Sequence, residues 1–231
     1  MAAGIANDGA TIRVWDLPTR LVHWALATLV VFSYATGMIG DTWMPWHLRS
    51  GYAILTLLLF RLGWGLVGSE SSRFAAFLRG PSAAIAYLRA LRSPRKPVIA
   101  GHNPLGGWMV VAMLAILAVQ AASGLFADNE IDTQGPLAAM VSNALVSRMS
   151  ALHGINSWVV LGAVVLHLAA IAVYALGLGT NLVTPMVTGS KRVSDAGAAR
   201  APRLASNARA GVVFVAAAVF VYALVVVYPK A

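Results

Sequence analysis

Charged residues are missing from four long windows of this chain. No Asp, Glu, Lys or Arg occurs in residues 21–40, 97–127, 149–190 or 210–229. Each window can cross a bilayer, which takes about 20 apolar residues in a helix. With 59% hydrophobic and only 11% charged residues, the chain lies outside the usual composition of soluble globular domains. The sequence therefore predicts an all-α integral membrane protein and excludes a water-soluble enzyme.

The hydrophobic stretches predict five spans, of which four form a transmembrane bundle and the fifth is an additional C-terminal helix. The predicted spans are Leu21–Met38, His47–Val67, Leu105–Phe126, Met149–Leu178 and Gly211–Tyr228. The window 149–190 has room for two helices. We expect one, because Gly177, Gly179 and Pro185 break the helical pattern after a single crossing.

Two segments outside the spans have a distinctive composition. Pro81–Leu91 predicts a short helix, because proline suits a first helical turn, and Arg89 and Arg92 could meet lipid headgroups there. Ser190–Ala210 mixes Ser, Gly, Ala and Arg and predicts a flexible linker. We therefore expect a bundle over residues 1–192, a cytoplasmic linker over 193–210 and the additional helix in 211–231.

Basic residues are distributed unequally between the two sides of this five-span arrangement. Three of them, Arg49, Arg148 and Lys230, lie on one side. The other fourteen lie opposite: Arg13, Arg20, Arg61, Arg73, Arg79, Arg89, Arg92, Arg95, Lys96, Lys191, Arg192, Arg200, Arg203 and Arg209. Because short cytoplasmic loops are rich in Lys and Arg, the N-terminus is predicted to be cytoplasmic and the C-terminus to lie outside.

Charge and cysteine content narrow the partners and the cofactors. Membrane lipid explains the net charge of +9, and no basic module typical of nucleic-acid binding is present. The chain has no cysteine, which excludes iron–sulfur clusters, thiolate metal sites and covalently attached c-type haem. Any redox metal must therefore be bound by histidine.

Two histidines lie on one face of the fourth predicted span. His153 and His167 are 14 residues apart, which is close to four helical turns and about 21 Å along the axis. This spacing places one ring near each side of a hydrocarbon core about 30 Å thick. A single intramembrane histidine could simply bond to a neighbouring helix, but two at this spacing suit two stacked haems.

The predicted topology supplies a second histidine at each depth. The first span runs outward from His23, so this residue lies at the cytoplasmic side with His167. The second span runs inward from His47, which therefore lies at the outer side with His153. The topology thus predicts the axial ligand pairs His23/His167 and His47/His153.

Other residues recur at the same period. Gly37 follows His23 by 14 residues, where a missing side chain would let a macrocycle approach the backbone, although helix packing also explains it. Arg61 follows His47 by 14 residues and could pair with a haem propionate or extend to the inner headgroups. Arg49 and Arg148, beside the outer histidines, are candidate propionate partners outside.

The histidine chemistry favours one kind of cofactor. Two axial imidazoles leave no open position on a b-type haem, which suits electron transfer. Zinc is the competing metal, but it prefers ligands gathered at one tetrahedral site. His102, within Gly-His-Asn-Pro, could cap a helix, contact headgroups or carry protons at a quinone site, since histidine titrates near neutral pH.

Several motifs resemble the bacterial cytochrome b561 family and the related cytochromes b of nickel–iron hydrogenases. They are Val-Trp-Asp-Leu-Pro-Thr-Arg-Leu-Val-His-Trp at 14–24, Thr36-Gly37, Trp46-His47, Leu59-Phe60-Arg61-Leu62, Gly101-His102-Asn103-Pro104-Leu105-Gly106, Leu152-His153-Gly154, Leu166-His167 and Pro185-Met186-Val187-Thr188-Gly189. The resemblance spans Val14 to Arg192 and implies four core helices around two non-covalent b haems. It places the haem ligands at His23, His47, His153 and His167, and the protein in the bacterial inner membrane.

The resemblance implies electron transfer between the quinone pool and a periplasmic redox partner, such as a hydrogenase, a c-type cytochrome or another dehydrogenase subunit. An enzymatic alternative is a quinone-linked oxidoreductase that acts directly on a small periplasmic oxidant such as superoxide. A cofactor-free transporter or assembly subunit is a third interpretation, but Gln120 and Ser123 supply few polar groups for a midplane cavity. The fifth span, which lacks charge and histidine, is expected to contact a partner or lipid rather than carry electrons.

Overall fold

The computed structural model describes residues 10–93, 99, 101–129, 131, 133–193 and 200–230. The acidic residues Glu130 and Asp132 and the basic residues Arg95 and Lys96 lie outside the described part. The structure is helical apart from two short strands. Its elements are β1 (Ala10–Arg13), α1 (Leu17–Ile39), α2 (Met44–Val67), α3 (Phe74–Phe77), α4 (Pro81–Ala90), α5 (Pro104–Gly124), α6 (Asn143–Ala172), α7 (Val183–Thr188), β2 (Ser190–Val193) and α8 (Asn207–Tyr222).

Five helices of the described chain are long and apolar enough to cross a membrane. They are α1, α2, α5, α6 and α8, which confirms the all-α membrane fold and the single crossing in the window 149–190. Both α6 and α8 end in a π-helical turn, at Val173–Gly177 and Ala223–Val227. The short helix expected in the loop 68–104 is α4, which begins at Pro81 as its sequence predicts.

The first helix begins four residues before its predicted start because Asp16 caps it. The carboxylate of Asp16 accepts hydrogen bonds from the backbone N–H of Thr19 at 2.6 Å and from Trp64 Nε1 at 3.0 Å. It also accepts from the Ser72 hydroxyl at 3.2 Å. Asp16 and Trp64 are both buried. This carboxylate thus joins the start of α1 to the end of α2.

The four central helices form two antiparallel pairs. In the first pair, Asp16 meets Trp64 at one end and Ser33 meets His47 at the other, so α1 and α2 run in opposite directions. In the second pair, Ser123 of α5 meets His153, and the Asn103 cap of α5 donates to Tyr174 at 2.9 Å.

The two helix pairs meet in an apolar core. Its buried members are Ile54 and Leu58 of α2, Leu117 of α5 and Val160 of α6, and the partly buried Leu26 of α1 packs against them. The four helices therefore form one bundle.

The fifth spanning helix packs along α2. Ala210 and Ala217 are buried with Phe60 and Trp64, and a Cβ built on Gly63 would lie 3.0 Å from Val213 Cγ1. We expected this helix to contact a partner or lipid. In the structure one of its faces covers α2, because small residues let the two backbones approach closely, and the contact expected with a partner or lipid stays a prediction.

The segment expected to be a flexible linker makes defined contacts at both of its described ends. Strand β2 pairs antiparallel with β1, with Arg13 opposite Ser190. Just before β2, Gly189 has a φ of 85° and its carbonyl accepts from the backbone N–H of Val14 at 2.8 Å. This ladder joins the beginning and the end of the four-helix bundle.

The residues before α8 are held by the turn that follows α2. The backbone N–H of Arg203 donates to the Glu70 carboxylate at 3.0 Å, and the N–H of Ala205 donates to the Ser69 hydroxyl at 2.8 Å. The Arg203 hydrogen bond and the neighbouring arginines lower the pKa of Glu70. The chain is thereby anchored to the bundle before it turns into α8.

Candidate functional site with two histidine pairs

The structure brings the four span histidines together as two facing pairs. The ring centres of His23 and His167 are 6.3 Å apart, with an angle of 55° between the ring planes. The ring centres of His47 and His153 are 6.0 Å apart, with an angle of 86°. Each pair joins one helix of the α1–α2 hairpin to α6, with α1 contributing His23 and α2 contributing His47.

These separations fit one metal ion between the two rings of each pair. An imidazole nitrogen binds a metal at about 2.0–2.1 Å and lies about 1.1 Å from its ring centre, so two imidazoles on opposite sides of one ion have centres about 6.3 Å apart. Both observed separations are close to this value. A haem iron, which needs only two protein ligands, therefore fits each pair.

Hydrogen bonds orient both rings of the His47/His153 pair. His47 Nδ1 lies 2.8 Å from the backbone carbonyl of Ser33, and His153 Nδ1 lies 3.0 Å from that of Gln120. A carbonyl can only accept, so Nδ1 carries the proton in each ring. The Nε2 lone pair is therefore the one available to a metal, which is the usual arrangement of a ligand histidine.

A glycine lies against each of these two rings. A Cβ built on Gly37 would lie 2.9 Å from His47 Nδ1, and one built on Gly124 would lie 2.9 Å from His153 Cε1. Any larger residue would displace the imidazole. Gly37 thus makes room for a histidine ring, and the approach of a macrocycle to this glycine stays a prediction.

The same arrangement of a hydroxyl, a carbonyl and a glycine occurs in α1 and α5. The hydroxyl of Thr36 donates to Ser33 O at 3.1 Å, and the hydroxyl of Ser123 donates to Gln120 O at 3.1 Å. In each helix the accepting carbonyl is four residues before the glycine. The sequence signals are the dipeptides Thr36-Gly37 and Ser123-Gly124, of which our sequence interpretation used only the first.

A cavity of about 290 Å³ opens beside the His47/His153 pair and is lined by both of its rings. Four glycines also line it: Gly37, Gly51, Gly124 and Gly154. A Cβ built on Gly51 or on Gly154 would meet nothing within 4 Å. Backbone without side chains therefore borders open space at this pair, as the approach of a flat macrocycle requires.

Two amide side chains adjoin His153, the buried Asn156 and the half-buried Gln120. Asn156, only 8% exposed, donates from Nδ2 to Gln120 Oε1 at 2.8 Å and so fixes the Gln120 amide. That amide nitrogen lies 3.1 Å from His153 Nε2 and also donates to His153 O at 3.2 Å. When a metal takes the Nε2 lone pair of His153, the backbone carbonyl of His153 remains as an acceptor for the Gln120 amide.

The His23/His167 pair has different surroundings. His23 Nδ1 is buried and has no hydrogen-bond partner, and the Trp24 ring meets the His23 ring edge-on with centres 5.1 Å apart. His167 makes no hydrogen bond through its ring within the described chain. Neither imidazole here is held by a carbonyl.

A buried arginine lies at the same end of the bundle as His23. Arg61 is only 7% exposed, its Nη1 has no hydrogen-bond partner, and its guanidinium lies 5.0 Å from the centre of the Phe74 ring. The charge of the buried Asp16 carboxylate acts on Arg61, but Nη1 keeps an open hydrogen-bonding position, which is costly to bury unless an anion reaches it. Arg61 therefore fits a propionate better than it fits lipid headgroups.

The two arginines near the other pair are exposed. Arg49 lies over the Trp46 ring at 4.9 Å from its centre, and Arg148 extends from the first turns of α6. The structure places neither against a histidine of the pair. Their charges are screened by solvent, so any pairing with propionates there is weaker than at Arg61.

His102 lies between two aromatic rings just before α5. Its ring centre is 4.6 Å from that of Trp15 and 4.6 Å from that of Phe77, and its Nδ1 is buried without a partner. Burial, with the charges of Arg61 and His23, lowers the pKa of His102 to about 3. These causes favour the neutral form of the ring, and a role at a quinone site stays a prediction.

The structure is that of an integral membrane protein with five apolar helices, whose bundle holds two facing histidine pairs with ring separations that haem iron fits. The family model of prokaryotic cytochrome b561 matches residues 14–189, which cover every feature described at the two pairs. The chain belongs to the prokaryotic cytochrome b561 family. No curated protein and no solved structure gave a significant match.

Family membership assigns the cofactor and the general activity. The protein is a multi-pass membrane cytochrome of the b type, with haem b as its cofactor and electron transfer across the membrane as its function. Contact with membrane lipid follows from the five apolar helices. The additional helix α8 lies beyond the part of the chain that the family describes.

Proposed function

We propose that this protein binds two b haems, one at each histidine pair, and passes single electrons between quinone and a periplasmic redox partner. The ring separations of 6.3 and 6.0 Å support the proposal most directly. His153 and His167 are about 21 Å apart along α6, so two haems would divide the path of an electron across the bilayer into shorter steps. Each haem supplies a reversible one-electron couple, and no open iron position is needed.

The protein's own groups bind and orient the cofactor. His47 and His153 would each bind the metal through Nε2, because both Nδ1 atoms are engaged by carbonyls. Gly37 and Gly124 give the rings space. Arg61 would neutralise a propionate at the other pair, with Arg49 and Arg148 as weaker partners at the His47/His153 pair.

The proposed setting is the bacterial inner membrane with a cytoplasmic N-terminus. The excess of basic residues in the loops on the His23/His167 side supports this orientation. The di-haem bundle then comprises residues 1–192, followed by the segment 193–210 on the cytoplasmic side and the additional helix in 211–231. A hydrogenase, a c-type cytochrome or another dehydrogenase subunit would exchange electrons at the periplasmic side.

Quinone is proposed to react near His102 on the cytoplasmic side. The neutral imidazole of His102 has an unpartnered Nδ1, which suits a hydrogen bond to a quinone oxygen rather than proton uptake by titration. Arg61 and His23 both lie close enough to act electrostatically on this ring, so the candidate quinone site adjoins the His23/His167 pair.

Haem content tests the proposal. Purified wild-type protein should show bis-imidazole Soret and alpha bands with two haems per chain. His153→Ala and His167→Ala should each remove about one haem. Thr56→Ala should retain both, because within the described chain the Thr56 hydroxyl bonds to Tyr52 O of its own helix. A colourless wild-type preparation would contradict the proposal.

A further inference from the structure

Another cavity, of about 50 Å³, lies at the end of the bundle where α5 begins and α6 ends. The polar side chains that line it are Tyr87, Asn103, Tyr174, Thr180 and Lys191. No histidine is among the described residues of its lining. This cavity is therefore distinct from both histidine pairs and from the candidate quinone site at His102.

The hydrogen bonds in this cavity run in one direction. Asn103 Oδ1 accepts from the backbone N–H of Gly106 at 2.8 Å, which leaves Nδ2 to donate to the Tyr174 hydroxyl at 2.9 Å. The Tyr174 hydroxyl in turn donates to the Tyr87 hydroxyl at 3.3 Å. Within the described chain the Tyr87 hydroxyl proton has no acceptor, although the Tyr87 side chain is buried.

Lys191 adds a positive charge to the same lining. Its half-buried ammonium donates to the Ile99 carbonyl at 2.8 Å, and its remaining protons have no acceptor within the described chain. No carboxylate is found among the described residues that line the cavity. Burial lowers the pKa of Lys191, because no anion there compensates for the lost water. The cavity thus offers open donors and a positive charge, which suit an anion.

The backbone fixes the elements that supply these donors. Tyr174 lies in the π-helical turn at the end of α6, and the backbone N–H of Thr180 donates to Tyr174 O at 2.8 Å. Gly179 permits this reversal of the chain with a φ of 62°. Lys191 belongs to β2, which is paired with β1. The site is therefore formed in the fold before any ligand arrives.

The size and the apolar part of the lining favour the phosphate of a lipid. A cavity of about 50 Å³ has room for about four water-sized groups, which matches the oxygens of a phosphate better than a quinone ring. Leu91, Ile99, Leu178 and Leu182 complete the lining. These side chains suit the glycerol and first methylene groups of a phospholipid, whereas a free phosphate ion gains nothing from them.

Exposed apolar side chains near this cavity provide a surface for acyl chains. Leu176, in the π-helical turn, is 89% exposed, and Ile85 and Leu88 of α4 are half-exposed. Arg89 of α4 is exposed as well. A short helix that exposes both apolar and basic side chains is typical of the membrane interface. The cavity therefore lies at the depth of the phospholipid headgroups.

We propose that this cavity binds the phosphate group of one anionic phospholipid, with the Lys191 ammonium and the Tyr87 hydroxyl as donors to its oxygens. Binding is non-covalent. Under the proposed orientation the lipid belongs to the cytoplasmic leaflet, where basic pockets between helices bind anionic headgroups. The bound lipid joins α4 to β2 across the beginning of α5. The proposal does not depend on how many haems the bundle holds.

Lipid binding to the purified full-length protein tests the proposal. In native mass spectrometry with equal amounts of phosphatidylglycerol and phosphatidylcholine, one phosphatidylglycerol should remain bound to the wild-type protein. Lys191→Gln should weaken this binding about tenfold or more, because it removes a charge-assisted hydrogen bond. Gln at this position can still donate to the Ile99 carbonyl, and Lys191→Arg should restore binding because it keeps the charge.

Arg192→Gln is the matched control. Arg192 carries the same charge one residue further along β2, is exposed, and points to the opposite face of the strand. It should bind phosphatidylglycerol as the wild-type protein does. The haem content of all three variants should equal that of the wild type, which shows that the bundle is folded.

The outcomes separate this site from its alternatives. Equal losses in Lys191→Gln and Arg192→Gln would show general attraction to a basic surface and overturn the proposal. A wild-type protein that retains both lipids equally would overturn it without any variant. If inorganic phosphate displaces the lipid at similar concentration, the site takes free phosphate, and if decylubiquinone does so, it takes quinone; either result refutes the lipid assignment. Absence of haem would contradict the proposed function alone.

Discussion

Gly124 provides the sharpest test of how the His47/His153 site is built. A methyl group added there by Gly124→Ala would lie 2.9 Å from His153 Cε1 and 3.1 Å from Nδ1. Carbon atoms normally approach to about 3.5–4.0 Å, so the ring must move by about 0.6–1.1 Å. It cannot swing aside freely, because its Nδ1 is bonded to Gln120 O at 3.0 Å.

The required movement is several times the positional tolerance of a metal ligand, which is about 0.2 Å. Disturbing the supports of a metal ligand costs about 10–100-fold in metal affinity. Overpacking of this kind also costs about 1–3 kcal/mol of folding free energy. We expect Gly124→Ala to lose haem from one site and to unfold at a lower temperature.

Haem per chain, measured as the pyridine haemochrome of purified protein, reports the loss directly. Gly162→Ala is the matched control, since a Cβ there meets nothing within 4 Å and Gly162 lies nine residues from His153, on the opposite face of α6. We expect about one haem for Gly124→Ala and two for the control. Two haems and unchanged optical bands in Gly124→Ala would refute the argument from ring contact.

Three further predictions concern the frame around the sites. Asp16→Asn removes one charged acceptor from the buried group that includes Trp64 and should cost about 1.5–3 kcal/mol, seen as a lower unfolding temperature in detergent. Because the folded-state pKa of Glu70 is lowered, its contribution to stability is present above the ordinary glutamate pKa and is lost as the pH falls through the lowered value. Hydrogen exchange of the residues just before α8 should therefore rise at that low pH. Glu70→Gln should show the same rise at neutral pH. Gly63→Val should separate α8 from α2, since a Cβ already lies 3.0 Å from Val213, and cross-linking between the two helices should fall.

The sequence predicted the five spans because membrane insertion depends on local properties, namely charge-free length and apolar composition. It also predicted which histidines share a depth, since a 14-residue spacing and the loop charges need no tertiary information. The structure brings the rings of those predicted pairs to 6.3 and 6.0 Å. The assignment of iron to them stays a prediction.

The residues that hold the histidine rings in place were harder to predict from the sequence. Gln120, Ser123 and Gly124 carry no charge and follow no long period, and their roles depend on which helix lies opposite. Comparison of Thr36-Gly37 with Ser123-Gly124 could have found them, because both dipeptides end a span. The contact of α8 with α2 could not be predicted either, since an aliphatic helix gives no sign of which face is covered.

The pairing of β1 with β2 has a topological consequence. Because Ala10–Arg13 lies in register with Ser190–Val193, the path of the chain through the four-helix bundle closes almost into a ring. The two ends of this ring could be joined at the β1–β2 ladder and new ends made in another loop, as in a circularly permuted protein. The fold therefore does not fix where the chain of the bundle begins and ends. Helix α8 is attached outside the ring, so a separate peptide could supply it without interrupting the path that holds both histidine pairs.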